Sequence, residues 1–385
     1  MSSILFLSSL ALAQEVEFHP ELQVRPRFEV DSVRGSDVSG ELVSFVNMRS
    51  RLGVGLSHED LAVRVVVSDV RYMGEATDSR RSFSANGLDV RIATATWSPG
   101  PLQLTVGRME EPLLNQRLLA INAWRPEGRV FDGVRALWRQ DAVTVDVRAH
   151  LLDEGDTVEL DVTEQATPGG MDSLLGVASF QYRTDPISVA PNVLVQSAPD
   201  LFRTTMGVLT RGAAGTLDYS VEGYYQLGEA DDAALAAGMV GAEFGLTPID
   251  SLRLALATDV LSGDDDLTDD RSTAFNPLYG ANHKYYGLID MALFYTAGPR
   301  DGQGLVDTVF RSQWTSGATT LRWDQHLFLA PVPADGTILA VEPDLQIRQR
   351  VTDGLAVSGG TNLWFPLEAE TSFEFMTWLQ FDARL

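Results

Sequence analysis

The chain has 385 residues, 44% of them hydrophobic, and its 53 acidic against 29 basic side chains give a formal charge of −24. That balance excludes nucleic acid as a partner, and the lack of any cysteine excludes disulfides, thiol chemistry and cysteine-ligated metals. Mean hydropathy is near zero, −0.03, and no run of about 18 apolar residues occurs, so no transmembrane helix is expected.

Residues 4–13 are mostly apolar, and Ala11, Leu12 and Ala13 before Gln14 fit the small-residue cleavage site of a secretory signal. A signal peptide is therefore expected over 1–13. Its positive start is missing, so the reading includes either a start further upstream or an atypical signal. Export without cysteine suits a bacterial envelope protein.

The next stretch, EVEFHPELQVRPRFEV (15–30), alternates without a slip. Val16, Phe18, Leu22, Val24 and Phe28 fall on one side, and Glu17, His19, Glu21, Gln23, Arg25 and Arg27 on the other. Period two means a strand with two unlike faces. Sixteen residues is long for a soluble strand of about 5–6 and sufficient for a tilted membrane strand of about 9–11. The habit recurs. In 43–56, Val46, Met48, Leu52 and Val54 oppose Asn47, Arg49 and Arg51; in 320–329, Leu321, Trp323 and Leu327 oppose Arg322, Asp324 and His326.

Candidate strands lie near 16–30, 43–57, 61–73, 87–98, 101–109, 131–140, 143–153, 173–183, 187–197, 202–211, 215–227, 236–247, 251–262, 286–296, 305–315, 318–330, 338–350, 354–366 and 373–385. These are nineteen runs, whereas single-chain bacterial barrels have even numbers. The expectation is an all-β, antiparallel up-and-down transmembrane barrel of about 18 strands, with 16 as the alternative, built from 14–385 as one domain. Short connections such as 98–101, 247–250 and 352–354 contrast with long ones at 110–130, 154–172 and 263–285, the outer-membrane pattern. The last run places Phe373, Phe375, Leu379, Phe381, Ala383 and Leu385 on one face, resembling the terminal strand that barrel-assembly machinery reads. A soluble sandwich or β-helix would need shorter strands and fewer arginines on the polar face.

By alternation Arg25, Arg27, Arg49, Arg51, Arg64, Arg91, Arg135, Arg253 and Arg322 face the lumen, with Arg108 and Arg117 at or just past a strand end. Guanidinium groups in a narrow polar pore attract anions, because the low-dielectric wall focuses the field, and their planar fork fits carboxylates. The opposing reading is that these arginines pair with lumen acids and brace the wall. With Lys284 as the single lysine, arginine is the chain's default cation and its abundance alone proves little.

Two stretches carry more than pattern. Residues 106–138 contain Gly107-Arg108, Gln116-Arg117-Leu118, Trp124 and Arg129-Val130-Phe131-Asp132-Gly133-Val134. Residues 262–291 contain Phe275-Asn276-Pro277-Leu278-Tyr279, His283-Lys284-Tyr285-Tyr286-Gly287 and Asp290. Both resemble the alginate-export family of outer-membrane porins. The resemblance implies a monomeric 18-stranded barrel with an electropositive constriction that passes anionic polyuronate. It makes Arg108, Arg117 and Arg129 the first candidates for that constriction, with Asp132 bracing them. For Phe275, Pro277, Tyr279, His283, Lys284, Gly287 and Asp290 it favours loop packing or gating over substrate contact. The chain is short for that family, so a plug or gating loop is expected to be reduced.

The acidic surplus gathers in expected loops, including Asp264, Asp265 and Asp266. Hard cations take oxygen ligands, so Ca²⁺ at the lipopolysaccharide surface is one reading and a solvated loop the other. No cofactor is otherwise expected. The functional expectation is a passive channel for anionic saccharides such as alginate-like uronates. A general anion-preferring porin, and then a closed structural or enzymatic barrel using His150 or His326, are the alternatives. The expected partners are membrane lipid, lipopolysaccharide and the anionic sugar.

Overall fold

Strong alternation over most of the chain dictates strands whose two faces meet different solvents, and a computed structural model shows them closed into a ring. The structure describes residues 15–30, 42–73, 89–152, 173–292, 302–332, 337–367 and 373–384; the signal peptide expected over 1–13 and the connection expected over 154–172 lie outside them. The wall runs β1 (Glu15–Val30), β2 (Leu42–His58), β3 (Leu61–Tyr72), β4 (Asp89–Trp97), β5 (Leu102–Met109), β6 (Phe131–Gln140), β7 (Val143–Leu151), β8 (Leu174–Arg183), β9 (Ile187–Ala198), β10 (Leu201–Ala214), β11 (Leu217–Ala230), β12 (Ala233–Ile249) and β13 (Leu252–Leu261). After the two-residue β14 (Arg271–Ser272) it continues through β15 (Leu305–Ser316), β16 (Thr319–Ala330), β17 (Thr337–Thr352), β18 (Leu355–Pro366) and β19 (Glu374–Arg384).

Neighbours in the chain pair antiparallel, β13 pairs β15, and β19 pairs β1 from Glu21 opposite Arg384 to Val30 opposite Phe375. Of the 19 strands in the sheet, β14 only touches β12 in parallel, which leaves 18 in the closed wall. Closure removes the sheet edge that a membrane cannot tolerate.

The run expected at 286–296 does not join the wall over its described part, 286–292, and 293–296 lie outside the described residues. Tyr286 and Met291 are buried inside the barrel instead, just after a one-turn helix, α1 (Asn282–Tyr285). Its apolar residues are contiguous rather than alternating, and such a run cannot tell a strand from any other buried segment.

Outward positions are apolar and exposed, among them Phe18, Leu52, Val106, Val134, Val240 and Phe244. Trp97, Tyr182, Trp314 and Trp323 stand exposed toward the short-turn end, and Phe202, Phe365 and Phe373 toward the other, as aromatic girdles do at lipid interfaces. By the same pattern the short turns face the periplasm. The buried apolar cluster lies inside the ring. Leu175, Leu194, Met239, Phe328 and Trp364 of the wall pack against Leu113, Leu118 and Leu119 of the β5–β6 connection and Phe275, Tyr285, Tyr286 and Met291 of the β13–β15 connection. The lumen is thus occupied by two inward loops rather than by a reduced plug.

Candidate functional site

The first inward loop (110–130) and the second (262–292) meet as a short parallel pairing at Leu119 and Tyr279. Ala120 N–H donates to Tyr279 O at 2.9 Å, Tyr279 N–H to Leu118 O at 3.0 Å and Ala281 N–H to Gln116 O at 2.9 Å. Trp124 of the first loop stacks on His283 of the second, centroids 4.2 Å apart, and the Arg25 guanidinium lies 4.2 Å from the Trp124 ring centroid. Backbone brought inside a barrel must find hydrogen-bond partners, and the loops supply only some of their own.

Wall arginines supply the rest for the first loop. Arg25 Nη1 donates to Trp124 O at 2.7 Å and Arg49 Nη1 to Pro126 O at 3.5 Å. Arg91 donates to the carbonyls of Glu127 and Arg129 and to the Glu110 carboxylate. Arg148 donates to Glu111 O at 3.0 Å and Pro112 O at 3.2 Å while pairing with the Glu111 and Asp146 carboxylates at 2.7 Å each. Burial raises the Glu111 carboxyl against the pull of Arg148 and Arg135. Arg91 reaches the lumen through an irregularity in the β3–β4 ladder between Val66 and Val67. Without it, Arg91 would share a face with the exposed Trp97.

Arg117 is the deepest tie. Its Nε donates to Glu222 of β11 at 2.9 Å, and Nη1 and Nη2 grip Asp259 of β13 at 2.7 and 2.9 Å. Its guanidinium lies 3.5 Å from the Tyr285 ring centroid. Burial opposes its charge, but Asp259, Tyr286 and Glu222 outweigh burial and hold it protonated well beyond the ordinary range.

The second loop is held by acceptors and amides. Glu342 of β17, fully buried, takes Leu288 N–H at 2.6 Å and Ile289 N–H at 3.0 Å on one oxygen. Gln226 of β11 exchanges two hydrogen bonds with the Asn276 backbone, and Gln196 donates to Tyr279 Oη at 3.0 Å. Behind Glu342, His326 Nδ1 pairs with Asp307 at 2.9 Å, and Asp344 accepts from Asn362 at 2.6 Å.

On the short-turn side of the paired loops the lumen opens into two cavities, of about 900 and about 480 Å³. The larger is lined by Arg183, Arg211, Arg253, Arg311 and Lys284; the smaller by Arg348, Trp124, His283 and Trp378; both share Lys284, Gln313, Arg322 and Asp324. Arg253 is held by Asp218 and Glu243, and Arg322 by Asp324. Arg183 and Arg211 make no side-chain hydrogen bond or ion pair among the described residues.

Of the residues singled out from sequence, Arg49, Arg51, Arg91, Arg135, Arg253 and Arg322 stand on the lumen side. Arg64 does too, exposed beside the β2–β3 turn. Arg135 is fastened to Asp146 at 2.7 Å. Arg108 and Asp132 require a correction. They pair bidentately at 2.9 and 2.7 Å, but they share the outward face with exposed Val106 and Val134, because Met109 and Phe131 beside them are the buried, inward residues. Arg117 and Arg129 join loop to loop and loop to wall; Arg129 donates to Tyr279 O. In the second loop, Phe275 is buried, Pro277 O accepts from Gly280 N–H, His283 Nδ1 lies 3.1 Å from Asp290, and Gly287 adopts φ +83° against Glu342.

The calcium reading gains nothing from geometry. Asp264 accepts from Asp266 N–H and Thr273 N–H, Asp266 accepts from Thr268, and Asp265 is exposed. Among the described residues no group of three or more acidic or histidine side chains is arranged to hold a metal. Residues that the sequence reading did not single out include Arg148, Arg211, Glu222, Asp259 and Glu342. Alternation places all five on polar faces, yet only the position of the loops shows what they touch.

A closed wall with an apolar exterior, aromatic girdles and a polar, loop-divided interior defines a bacterial outer-membrane β-barrel channel. Residues 15–294 match the model of the alginate export family, and the chain belongs to that family. In fold the barrel is similar to OccK3 (OpdO) of Pseudomonas aeruginosa, at 14% identity with 99% of each chain covered and a TM-score of 0.68. It is similar also to OpdK of Pseudomonas aeruginosa solved with vanillate, at 12% identity over 96% of this chain and 98% of that one, TM-score 0.65. OccAB4 of Acinetobacter baumannii matches at 9% identity over 97% and 99%, TM-score 0.66. No curated protein sequence matches the chain.

Proposed function

We propose that this outer-membrane channel passes anionic saccharides of the uronate type, drawing them through the basic cavities on its periplasmic side. The observation that supports this most directly is the lining of the larger cavity, where Arg183, Arg211, Arg253, Arg311 and Lys284 converge. Arg183 and Arg211 are left with unspent donors, as favourable but weak, repeated binding requires. The family is consistent with such a cargo. In this reading the chain acts as a monomer, is delivered by assembly machinery that reads β19, and stands among lipopolysaccharide without a resident cofactor.

A second reading is an anion-preferring porin for small solutes. It is favoured by the loops that meet within the lumen, which suit small cargo better than polymer, and by the vanillate, a carboxylate, in the OpdK structure. Planar-bilayer recording of the purified protein separates the two. Anion-preferring current blocked by added oligouronate supports the first reading. Anion-preferring current indifferent to oligouronate supports the second. Cation preference, or silence in a folded sample, overturns both.

A further inference from the structure

Lys284 occupies a position that the packing of its loop does not explain. It is the single lysine of the chain, and it extends from the one-turn helix α1 at the point where the two periplasmic-side cavities meet, lining both. Its Nζ donates to Asn115 O of the first loop at 3.0 Å and lies 5.0 Å from the Tyr285 ring centroid. That leaves hydrogens of a three-donor ammonium facing the cavities. The neighbouring residues Tyr285, Tyr286 and Gly287 are buried, whereas Lys284 is exposed to the cavities.

We propose that Lys284 is the specificity-determining cation of the channel, the group that a carboxylate-bearing solute contacts where the two cavities join. The proposal rests on the anion-channel reading above. The arginines nearest this junction are largely committed: Arg322 to Asp324, Arg311 to Glu243 and Asp324, and Arg117 to Glu222 and Asp259. An ammonium held by one carbonyl and an aromatic face can turn its free hydrogens to a passing anion at no cost to a salt bridge. A guanidinium locked in a bidentate pair must first release its carboxylate.

The residue also gives the channel a signature that arginine cannot. The charged groups around it are Arg117 on the first loop, Arg211 on β10, Glu222 on β11 and Arg311 on β15, with Arg322 and Asp324 of β16 on the cavity wall. Loss of bulk water around it within the lumen first, then Arg117 and Arg211, lowers the ammonium's pKa from the ordinary lysine value. Arginine stays protonated throughout the accessible range. As pH rises, Lys284 therefore sheds its charge ahead of the arginines that line the larger cavity, and anion preference falls.

The test is the reversal potential of the purified full chain in a salt gradient, taken from about pH 7 to about pH 10. Comparison is made with Lys284→Gln, Lys284→Arg and Arg211→Gln, each checked for heat-modifiable migration as a sign of folding. The expected result is an alkaline loss of anion preference in the parent chain, a preference reduced about threefold and flat with pH in Lys284→Gln, and a preserved, flat preference in Lys284→Arg. If Lys284→Gln matches the parent at every pH while Arg211→Gln weakens anion preference, the assignment to Lys284 fails and the channel reading survives. If the parent shows no anion preference at all, the channel reading itself has failed.

Discussion

The two loops inside this barrel are held by opposite chemistry. The first is gripped by guanidinium donors from β1, β2, β4 and β7, which reach its carbonyls at 111, 112, 124, 126, 127 and 129. The second is received by acceptors and amides from β11 and β17, chiefly Glu342 and Gln226, which meet its N–H groups. The sign of the wall follows the backbone group it must satisfy, since a buried donor or acceptor without a partner is costly. Arginine density on β1–β7 is thus largely an anchoring device, and the cations free to meet a solute lie elsewhere, at Arg183, Arg211 and Lys284. Arg117 is the exception that joins the halves, a first-loop donor seated on second-half carboxylates.

That exception gives the largest expected effect. Arg117→Ala leaves Glu222 and Asp259 buried without their counter-charge, a change worth about 3–5 kcal/mol. Heat-induced unfolding in detergent should move down accordingly, and single-channel conductance should rise as both loops lose their common tie. Unchanged melting and conductance would show that the loops stand without it. Arg117→Lys should recover little, because a point charge cannot serve three acceptors in a plane.

Gly287→Ala addresses the second loop alone. At φ +83° an added Cβ sits 2.6 Å from the Glu342 carboxylate oxygens, so strain of about 1–3 kcal/mol falls where Leu288 and Ile289 are held. Protease nicking within 275–292 and flicker in the current should both increase, with the first loop still protected; equal protection of both loops would deny them separate anchors. Arg91→Ala removes one first-loop clamp among several. Its expected cost is about 1–2 kcal/mol, read as a smaller fall in melting temperature than Arg117→Ala gives. A larger fall would mean that the clamps act as one unit.

How much of this was legible in the sequence differs between wall and lumen. Alternation carried the strands, because each face of a membrane strand sees one solvent throughout. It failed at 286–292, the described part of the run expected at 286–296, where Tyr286, Gly287, Met291 and Ala292 are buried among partly buried neighbours and no period of two survives. The arginines on lumen faces could be read from parity, as at Arg25, Arg49 and Arg253. Parity could not show that Arg25 meets a loop carbonyl while Arg211 meets open space, since that depends on where two loops over a hundred residues apart converge. Arg91, expected on the lumen face, is there for a reason alternation does not supply: strict parity with exposed Trp97 points it outward, and the ladder irregularity at Val66–Val67 turns it in. Arg108 falls in step with apolar Leu102, Leu104 and Val106, so parity pointed it outward, and its motif match outweighed that cue.

Arg108 therefore supplies the smallest expected effect and the sharpest contrast with Arg253. Both make bidentate carboxylate pairs on the wall, but Arg108 looks outward beside Val106 and Arg253 faces the larger cavity. Replacing Arg108 by Ala should change stability by no more than about 1 kcal/mol, the range of exposed ion pairs, and leave the reversal potential where it was. Arg253→Ala, which also frees Asp218 and Glu243 into the cavity, should shift selectivity toward cations. The two measurements are made on the same apparatus under the same gradient, so their order is what matters. Were Arg108→Ala to weaken anion preference as much as Arg253→Ala does, the field at the mouth rather than within the periplasmic-side cavities would set selectivity, and the division of labour between anchoring and solute-facing cations would have to be redrawn.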